Sequence, residues 1–429
     1  MKRLVIGIAA VAAVALALTG CSGTTTTKAT GKPSLLIMVD TPRVPQAQEY
    51  KKLMAKTENI TIQVIAQTDV QTKVDLHNKT KSGWPDVIFG APQDTAAFED
   101  PSNGYALNLT KLLPAKVAAG FKAGNTDCVF NGQTYCLKND LANNVLWYNT
   151  KIFKQLGLTV PKTMAQFAST AMKLQGTGYS AGAYGDQNYY ASFLQSSGCP
   201  LAQVPKPNVV RIAPSDPKCT RVAKLLQPLL DAGVIDKRSS SDPSFLADVA
   251  QKDKVAMTIG PSWFGDFIIE PAASWNVPAG EIAAAPMPAW GSGSDNTSGA
   301  WGGGSWTVSS HSKYQQAAVN AAIWLTTSTW MAEAKTTPTY PAYGPANAIW
   351  VKKQANDPYF ANNTTIAMTA GASNINQGDR PVRFAFVNEI GTVLQADINS
   401  GKPLSTALND FAHGLQQLAP LSGYKVITK

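Results

Sequence analysis

Histidine and charged residues are both scarce in this sequence. Its 429 residues include three histidines, His77, His311 and His413, which lie far apart and do not share the spacing of metal ligands. We therefore expect no histidine-based metal site, and no cofactor is indicated. Lysine and arginine exceed aspartate and glutamate by 37 to 28, yet no dense basic run occurs, so a nucleic-acid partner is not expected.

Cysteine is also infrequent, and the absence of a C-x-x-C motif leaves a role in thiol redox catalysis without support. One of the five cysteines, Cys21, belongs to the N-terminal segment. The other four form an even set, which in an oxidising compartment suggests two disulfides: Cys128, Cys136, Cys199 and Cys219. Three pairings are possible, and closeness in sequence favours Cys128–Cys136 and Cys199–Cys219.

Apolar residues fill positions 4–18, directly after the basic residues Lys2 and Arg3. This run is shorter than the roughly 20 residues that a membrane-spanning helix needs. A charged start followed by a short apolar core is typical of a secretory signal. We therefore predict that residues 1–20 are a signal peptide and that the mature chain is exported.

The predicted signal ends in Leu18-Thr19-Gly20-Cys21, which resembles the lipobox of bacterial lipoproteins. The resemblance implies that Cys21 is lipidated, becomes the new N-terminus and holds the protein on the outer face of the cytoplasmic membrane. Residues 21–33 are threonine-rich and are predicted to form a flexible tether. The alternative is a plain secretory signal with an incidental cysteine.

Strand and helix patterns alternate from residue 34 onward. Strands are predicted at 34–39, 59–66 and 87–89, and helices at 46–56 and 70–80. This alternation is the signature of an α/β fold with a mostly parallel sheet. Asn131-Gly132, between two of the cysteines, predicts a hairpin turn, and residues 145–148 predict a further strand.

The second half of the chain shows the same mixture of elements. Helices are predicted at 163–174, 221–232, 244–251, 315–326, 384–398 and 404–418. Strands are predicted at 255–259, 283–288 and 306–308. The glycine- and serine-rich segment 291–304 is expected to be a loop.

Residues 135–167 carry a recognisable pattern: Leu146-Trp147-Tyr148-Asn149, Lys151, Phe153, Gly157-Leu158 and Pro161-Lys162-Thr163. This pattern resembles the core signature of the family 1 extracellular solute-binding proteins, maltose-binding-protein-like components of ABC sugar importers. Shorter matches follow the family's order at 85–88, 254–263, 302–313 and 401–408, so the resemblance spans nearly all of residues 34–418. Two departures are the lack of proline after Leu137 and the disulfides, which are not a general family feature.

The resemblance implies a two-lobed α/β fold of the periplasmic-binding-protein type, with a hinge that closes around a ligand in the cleft between the lobes. It places residues 34–142 and 303–345 in the N-terminal lobe and residues 143–302 and 346–429 in the C-terminal lobe. The chain would cross between the lobes near 140–145, 300–306 and 342–349. The implied function is non-enzymatic. A monomer captures a carbohydrate, an oligosaccharide in our interpretation, and passes it to the transmembrane subunits of an ABC importer.

A sugar presents hydroxyl groups around its rim and an apolar face of C–H groups, so its site needs polar side chains around an aromatic platform. Family position and the loops after strands suggest the aromatic candidates Trp263, Trp301 and Phe386. The same reasoning suggests the polar candidates Asp40, Gln93, Asp94, Asn143, Asn144, Gln187, Tyr189 and Asp266. Trp147, Trp324 and Trp330 are expected in the core instead.

Two other functions compete with sugar binding. Gly178-Tyr179-Ser180-Ala181-Gly182 fits the G-x-S-x-G pattern of hydrolases, but the strand that must precede such a serine is not predicted there. The second alternative is the same scaffold binding a different polar solute, such as a polyol, sugar phosphate or peptide. A phosphate would favour a basic cluster, whereas the candidate loops are neutral or acidic apart from Arg43, Arg380 and Arg383.

Overall fold

Two main β-sheets organise the chain. The computed structural model describes residues 31–100, 102–121, 124–185, 187–292, 295, 297–333, 337–375 and 381–429. Its strands are β1 (Ser34–Val39), β2 (Asn59–Val64), β3 (Val87–Gly90), β4 (Val129–Phe130), β5 (Gln133–Thr134), β6 (Cys136–Lys138), β7 (Asn144–Asn149), β8 (Gln203–Lys206), β9 (Val209–Arg211), β10 (Met257–Pro261), β11 (Ile282–Pro286), β12 (Ser305–Val308) and β13 (Lys425–Ile427).

Helices surround these strands. They are α1 (Val44–Met54), α2 (Val70–Thr80), α3 (Pro92–Phe98), α4 (Ala115–Gly120), α5 (Thr150–Gln155), α6 (Met164–Met172), α7 (Gln187–Ser197), α8 (Pro217–Asp231), α9 (Pro243–Asp248), α10 (Gln315–Thr327), α11 (Gly344–Gln354), α12 (Thr365–Ser373), α13 (Phe386–Glu389), α14 (Ala396–Asn399) and α15 (Leu404–Leu421). Short 3-10 turns occur at Thr41–Arg43, Gln67–Asp69, Thr126–Cys128 and Ala250–Lys252. Gly265–Ile269 and Ile390–Gln395 are π-helical.

The first sheet has the strand order β2-β1-β3-β12-β6. Strands β1, β2 and β3 are parallel, with Ile37 opposite both Ile62 and Val87, as the alternation of strand and helix predicts. Strand β12 comes from much later in the chain and runs antiparallel to β3 and β6. Strand β3 is buried along its whole length and is apolar throughout, as expected of a central strand covered by helices.

The second sheet, β10-β7-β11, contains antiparallel pairs only. Tyr148 of β7 lies opposite Met257 on one side and Ala283 on the other. The sequence predicts all three strands, but their apolar runs carry no information about strand direction. The strand predicted at 145–148 therefore belongs to a different sheet from the strands that precede it.

Several elements escape the sequence prediction. Strands β8 and β9 form a hairpin that turns at Asn208, where φ is 60°, and β13 adds to it in parallel. Helices α7, α11 and α12 are also missed. Helix α12 consists largely of small residues, so no distinct apolar stripe marks it.

Each main sheet packs against hydrophobic clusters on both of its faces. Phe89 and Trp306 of the first sheet meet edge to face, with ring centroids 5.2 Å apart. Trp147 is buried in the core of the second sheet, as predicted. Trp324 and Trp330 are only partly buried and pack against the outside of the first core.

Three segments carry the chain from one sheet to the other and hydrogen-bond to one another. They are the connections from β6 to β7, from β11 to β12, and from α10 to α12. The Leu141 N–H donates to the Tyr340 carbonyl oxygen at 3.0 Å, and the Trp301 N–H donates to the Ala142 carbonyl oxygen at 2.9 Å. The first segment therefore lies between the other two and is tied to both.

Both favoured disulfides are present. The Cα atoms are 5.0 Å apart in Cys128–Cys136 and 4.6 Å apart in Cys199–Cys219, so the pairing predicted from closeness in sequence is confirmed. Within the first loop, Asn131 and Gly132 have φ values of 49° and 74°. Positive φ at both central residues is the geometry expected for an Asn-Gly hairpin turn.

The predicted signal peptide, Cys21 and the tether up to residue 30 lie outside the described residues. In the described part of the chain, no helix combines the length and the apolar character that crossing a membrane requires. Residues Lys32–Lys429 form one compact unit, within which the two main sheets lie.

We expect Cys199–Cys219 to be reduced before Cys128–Cys136 when the native protein is treated with dithiothreitol. Cys199 is partly exposed, whereas Cys128 and Cys136 are both fully buried, so the reductant reaches the first disulfide more readily. Timed alkylation followed by peptide mass spectrometry measures the order. Earlier loss of Cys128–Cys136 would contradict this expectation.

Candidate functional site

A cleft of about 650 Å³ lies between two lobes, the N-terminal lobe built on the first sheet and the C-terminal lobe on the second. Its N-terminal wall contains Arg43, Gln67 and Gln93, which follow β1, β2 and β3. The carboxyl ends of parallel strands meet at one edge of a sheet, where ligands bind in open α/β folds. The crossing segment 299–304 also lines the cleft and brings both walls together.

The C-terminal wall is aromatic. The Trp263 Nε1–H donates to the Trp301 carbonyl oxygen at 3.1 Å, and the two indoles meet edge to face with centroids 5.5 Å apart. Phe267, one helical turn after Trp263, and Phe386 line the same cleft. Both tryptophans are partly exposed, so they present an apolar surface that suits the C–H face of a sugar.

Arg43 lies on the opposite wall. Its guanidinium is 4.3 Å from the centroid of the Phe89 ring, 3.2 Å from the Asp40 carboxylate and 3.8 Å from the Asp140 carboxylate. Burial raises the pKa of Asp40, and the Arg43 charge opposes that shift. Asp40 itself is not among the lining residues, so it positions Arg43 and offsets its charge.

A second ion pair, Asp127–Lys138, also lines the cleft. Asp127 directly precedes Cys128, and Lys138 lies two residues after Cys136, so the two members of the ion pair flank the disulfide. Among the described lining residues, the two cationic side chains, Arg43 and Lys138, are therefore both matched by carboxylates. The described part of the cleft therefore has no unpaired cation with which to attract a phosphate.

Amide side chains supply the neutral hydrogen-bonding groups. Gln93, Gln195 and Gln203 line the cleft, together with the hydroxyl-bearing Thr126 and Thr339. The Gln195 Oε1 accepts a hydrogen bond from the Ala300 N–H at 3.1 Å, which fixes the amide at the edge of the cleft. These groups can donate to and accept from hydroxyl groups.

The structure brings four predicted site residues to the cleft: Gln93, Trp263, Trp301 and Phe386. Asp94 is instead buried at the start of α3, where its carboxylate accepts from the Ala91 N–H at 2.9 Å, and burial raises its pKa to about 7. This contact makes Asp94 a helix cap.

The structure places Asn143, Asn144 and Tyr189 in the interior. The Asn143 amide donates to the Met368 carbonyl oxygen at 2.9 Å, and the Asn144 amide donates to the Ser298 carbonyl oxygen at 3.1 Å. Asn144 begins β7, so its side chain points among packed elements and away from solvent.

Tyr189 is nearly fully buried, and its hydroxyl donates to the Ala181 carbonyl oxygen at 3.0 Å. It belongs to the cluster on the Leu146 face of the second sheet, because α7, which the sequence does not reveal, turns its ring inward. Gln187 is the first residue of α7, and its side chain lies outside the described residues.

Asp266 lies in the π-helical segment that follows Trp263, away from the cleft lining. Burial raises its pKa to about 8, and the nearby Glu270 and Asp357 carboxylates add to the shift. Its Oδ2 is buried and has no hydrogen-bond partner among the described residues. Asp266 is therefore a partly exposed residue of the C-terminal lobe whose carboxyl group is directed inward.

Sequence reasoning misses several lining residues. From the sequence, Arg43 is noted only as a basic residue near otherwise neutral or acidic loops. The lining residues Asp127, Lys138, Phe267 and Gln195 are not predicted. The position of Arg43 just after β1 could have indicated it. The other polar residues come together through the disulfide and through α7, which no local signal shows.

Two groups of residues resemble catalytic or metal sites, but their contacts in the structure give them other roles. The Ser180 hydroxyl donates to the Gly182 carbonyl oxygen at 2.8 Å, and the preceding element is helix α6 rather than a strand. Ser180 therefore lacks the setting of a hydrolase nucleophile. Glu99, Cys128 and Cys136 cluster within 4.8 Å, but both cysteines are in a disulfide, so the group offers no thiolate to a metal.

We expect the stability of the protein to fall as the pH rises from about 5 to 8. Asp266 has an ordinary pKa of 3.8 and a folded-state pKa of about 8. Between these pH values the folded state keeps a proton that the unfolded state releases, so stability falls as the pH rises. Asp94, with a folded pKa of about 7, contributes in the same direction.

In Asp266→Asn this decline should be smaller, with a melting temperature at pH 8 about 2 °C or more above that of the unchanged protein. Asp242→Asn is the matched control, because Asp242 is partly exposed, its pKa is lowered and it titrates below this window. Melting curves at both pH values measure the effect. An equal decline in Asp266→Asn and in the unchanged protein would contradict it.

Comparison with known proteins extends this description. The model of a family described as bacterial extracellular solute-binding protein matches residues 40–332. No curated protein matches the sequence at a significant level.

Three solved structures share the fold. The galacto-N-biose-/lacto-N-biose I-binding protein of Bifidobacterium longum is 18% identical with a TM-score of 0.74, and the match covers 92% of this chain and 99% of that one. A B. animalis subsp. lactis ABC transporter associated binding protein is 19% identical with a TM-score of 0.73, and the match covers 93% of this chain and 100% of that one. The GacH receptor of Streptomyces glaucescens is 18% identical with a TM-score of 0.70, and the match covers 92% of this chain and 100% of that one.

These proteins are two-lobed, and their full-length similarity agrees with the α/β lobes and cleft described above. The fold class predicted from the sequence is thus confirmed. Because the family match covers well over half of the chain, the protein belongs to the bacterial extracellular solute-binding proteins.

Proposed function

We propose that the protein captures a neutral carbohydrate, an oligosaccharide, outside the cell and delivers it to an ABC importer. The observation that carries the proposal is the combination in one cleft of the Trp263–Trp301 platform with ion-paired Arg43 and Lys138. Stacking surface and hydroxyl-binding groups suit a sugar, and the paired cations disfavour a free anion.

The solved relatives support the same solute class. The Bifidobacterium longum protein was solved in complex with lacto-N-biose, the B. animalis protein with β-1,6-galactobiose and the Streptomyces glaucescens receptor with acarbose. Another similar structure has mannotriose bound. These ligands differ in their sugars and linkages. They therefore indicate the class of ligand, whereas the particular sugar depends on the cleft residues of this chain.

The proposed lobes are residues 34–142 with 303–345 and residues 143–302 with 346–429. The crossing segments described above would act as the hinge, and closure would bring Arg43 and Gln93 toward Trp263 and Phe386. Closing around the ligand excludes water and orders the complex for recognition by the importer.

We also propose that the mature protein is a monomer attached through lipidated Cys21 to the outer face of the cytoplasmic membrane. The N-terminal sequence supports the anchor. Tethering would keep the protein close to the importer's transmembrane subunits and raise its effective concentration there.

We further propose that the protein is not an enzyme. A glycosidase needs two carboxyl groups on either side of the scissile bond. Among the described lining residues, Asp127 is the one acid, and it is paired with Lys138. The ligand should therefore leave the cleft unchanged, as it must for import.

The first test is isothermal calorimetry with lacto-N-biose, β-1,6-galactobiose, mannotriose and maltotriose, followed by chromatography of the recovered sugar. We expect at least one to bind and to be recovered intact. Failure of every saccharide to bind, or recovery of cleaved sugar, would overturn the proposal.

The second test concerns the aromatic platform. Trp263→Ala should weaken binding by roughly 1–3 kcal/mol, because it removes the stacking surface and leaves most of the fold unchanged. Trp324→Ala, which removes an equally large and partly exposed ring from the outside of the N-terminal lobe, should leave the affinity unchanged. Equal effects of the two substitutions would assign Trp263 to packing.

A further inference from the structure

A second cavity adjoins the cleft. It has a volume of about 540 Å³, and Thr126 and Pro381 line both cavities. One wall belongs to the N-terminal lobe and includes Phe130 of β4 and Ala118 of α4. The facing wall belongs to the C-terminal lobe and includes the β8–β9 hairpin. Each cavity alone falls within the size range of ligand pockets.

Arg383 brings to the second cavity two N–H groups for which the described residues supply no acceptor. The residue is 7% exposed, and its Nη1 is ion-paired with Asp100 of the other lobe. Its guanidinium lies 4.2 Å from the centroid of the Tyr424 ring. Nε and Nη2 have no hydrogen-bond partner within the described ranges of the chain, although both atoms are buried.

A buried N–H without a partner is costly, so two on one guanidinium indicate that a ligand supplies the acceptors. Arg383 and Tyr424 both line the second cavity, which places the donors and an aromatic ring at the same wall. Asn125, another lining residue, is already satisfied, since its amide donates to the Cys136 carbonyl and accepts from the Lys138 N–H. Arg383 is therefore the polar anchor of this cavity.

The charges around this cavity also balance. Arg383 is matched by Asp100, and the lining residues Lys206 and Glu99 have opposite signs. The described walls of the cavity thus offer hydrogen-bond donors and aromatic surface without net positive charge. Hydroxyl oxygens satisfy such donors, whereas a phosphate would meet nearby carboxylates.

We propose that the second cavity is a further saccharide subsite, which takes the additional units of an oligosaccharide whose first units lie against Trp263 and Trp301. Arg383 Nε and Nη2 donate to hydroxyl oxygens of those units. This inference rests on the proposed function and adds a preference for longer chains over disaccharides.

The test is calorimetry with β-1,6-galacto-, manno- and malto-oligosaccharides, each from the disaccharide to the hexasaccharide. In the series that binds, we expect affinity to rise about tenfold or more as the chain lengthens, because added units reach the second cavity. The tightening should then level off when the cavity is full.

Two substitutions separate the cavities. Ala118 is exposed on α4 and lines the second cavity, so Ala118→Trp should fill its opening and lower long-chain affinity about tenfold while disaccharide affinity stays within about twofold. The neighbouring Ala119 is equally exposed but does not line the cavity, so Ala119→Trp is the matched control and should change neither. Arg383→Lys keeps a cation for Asp100 but removes the two donors. Like Ala118→Trp, it should lower long-chain affinity and leave disaccharide affinity within about twofold.

The outcomes distinguish this inference from the proposed function. If saccharides bind but affinity does not depend on chain length, or if Ala118→Trp and Ala119→Trp behave alike, the second cavity is not a subsite and the proposed function stands. If no saccharide of any series binds, the proposed function fails and the subsite fails with it. Selective loss of long-chain affinity in Ala118→Trp and Arg383→Lys supports the subsite.

Discussion

The close pairing of the three crossing segments is the constraint on which the rest of the molecule depends. The Trp301 N–H donates to the carbonyl oxygen of Ala142, which lies two residues before the start of β7. This hydrogen bond holds Trp301 where its ring can face Trp263. Gly303 makes this approach possible, since a Cβ there would lie 2.8 Å from the Asp140 carbonyl oxygen. The backbone of the crossing segments thus joins the two lobes and also positions the tryptophans that line the cleft.

Electrostatic balance is the second general property of the cleft. Arg43 lies between two carboxylates, and Lys138 is paired with Asp127, so strong hydrogen-bonding groups are present without a strong field. Burying charges costs free energy unless they are paired. In the proposed closing motion, these pairs would remain intact while the ligand enters and leaves.

Local patterns predict the first sheet well and the site only in part. Strand β1 is predicted residue for residue, because its apolar run is bounded by polar and turn-forming residues. Helices α7 and α12 are missed because small and polar residues interrupt their apolar stripes. Since α7 is missed, Tyr189 is assigned to a loop, and the structure places it in the core. Trp263 and Trp301 reach the cleft because family position carries long-range information that periodicity lacks.

The disulfide Cys128–Cys136 affects the compartment in which the protein becomes able to bind its ligand. Asp127 and Lys138 lie just outside its two cysteines, so the ion pair that lines the cleft is aligned by a covalent bond as well as by folding. Thiols stay reduced inside most bacterial cells and are oxidised only beyond the membrane. A newly made chain would thus complete this wall after export, and solutes already inside the cell would meet a receptor still unfinished.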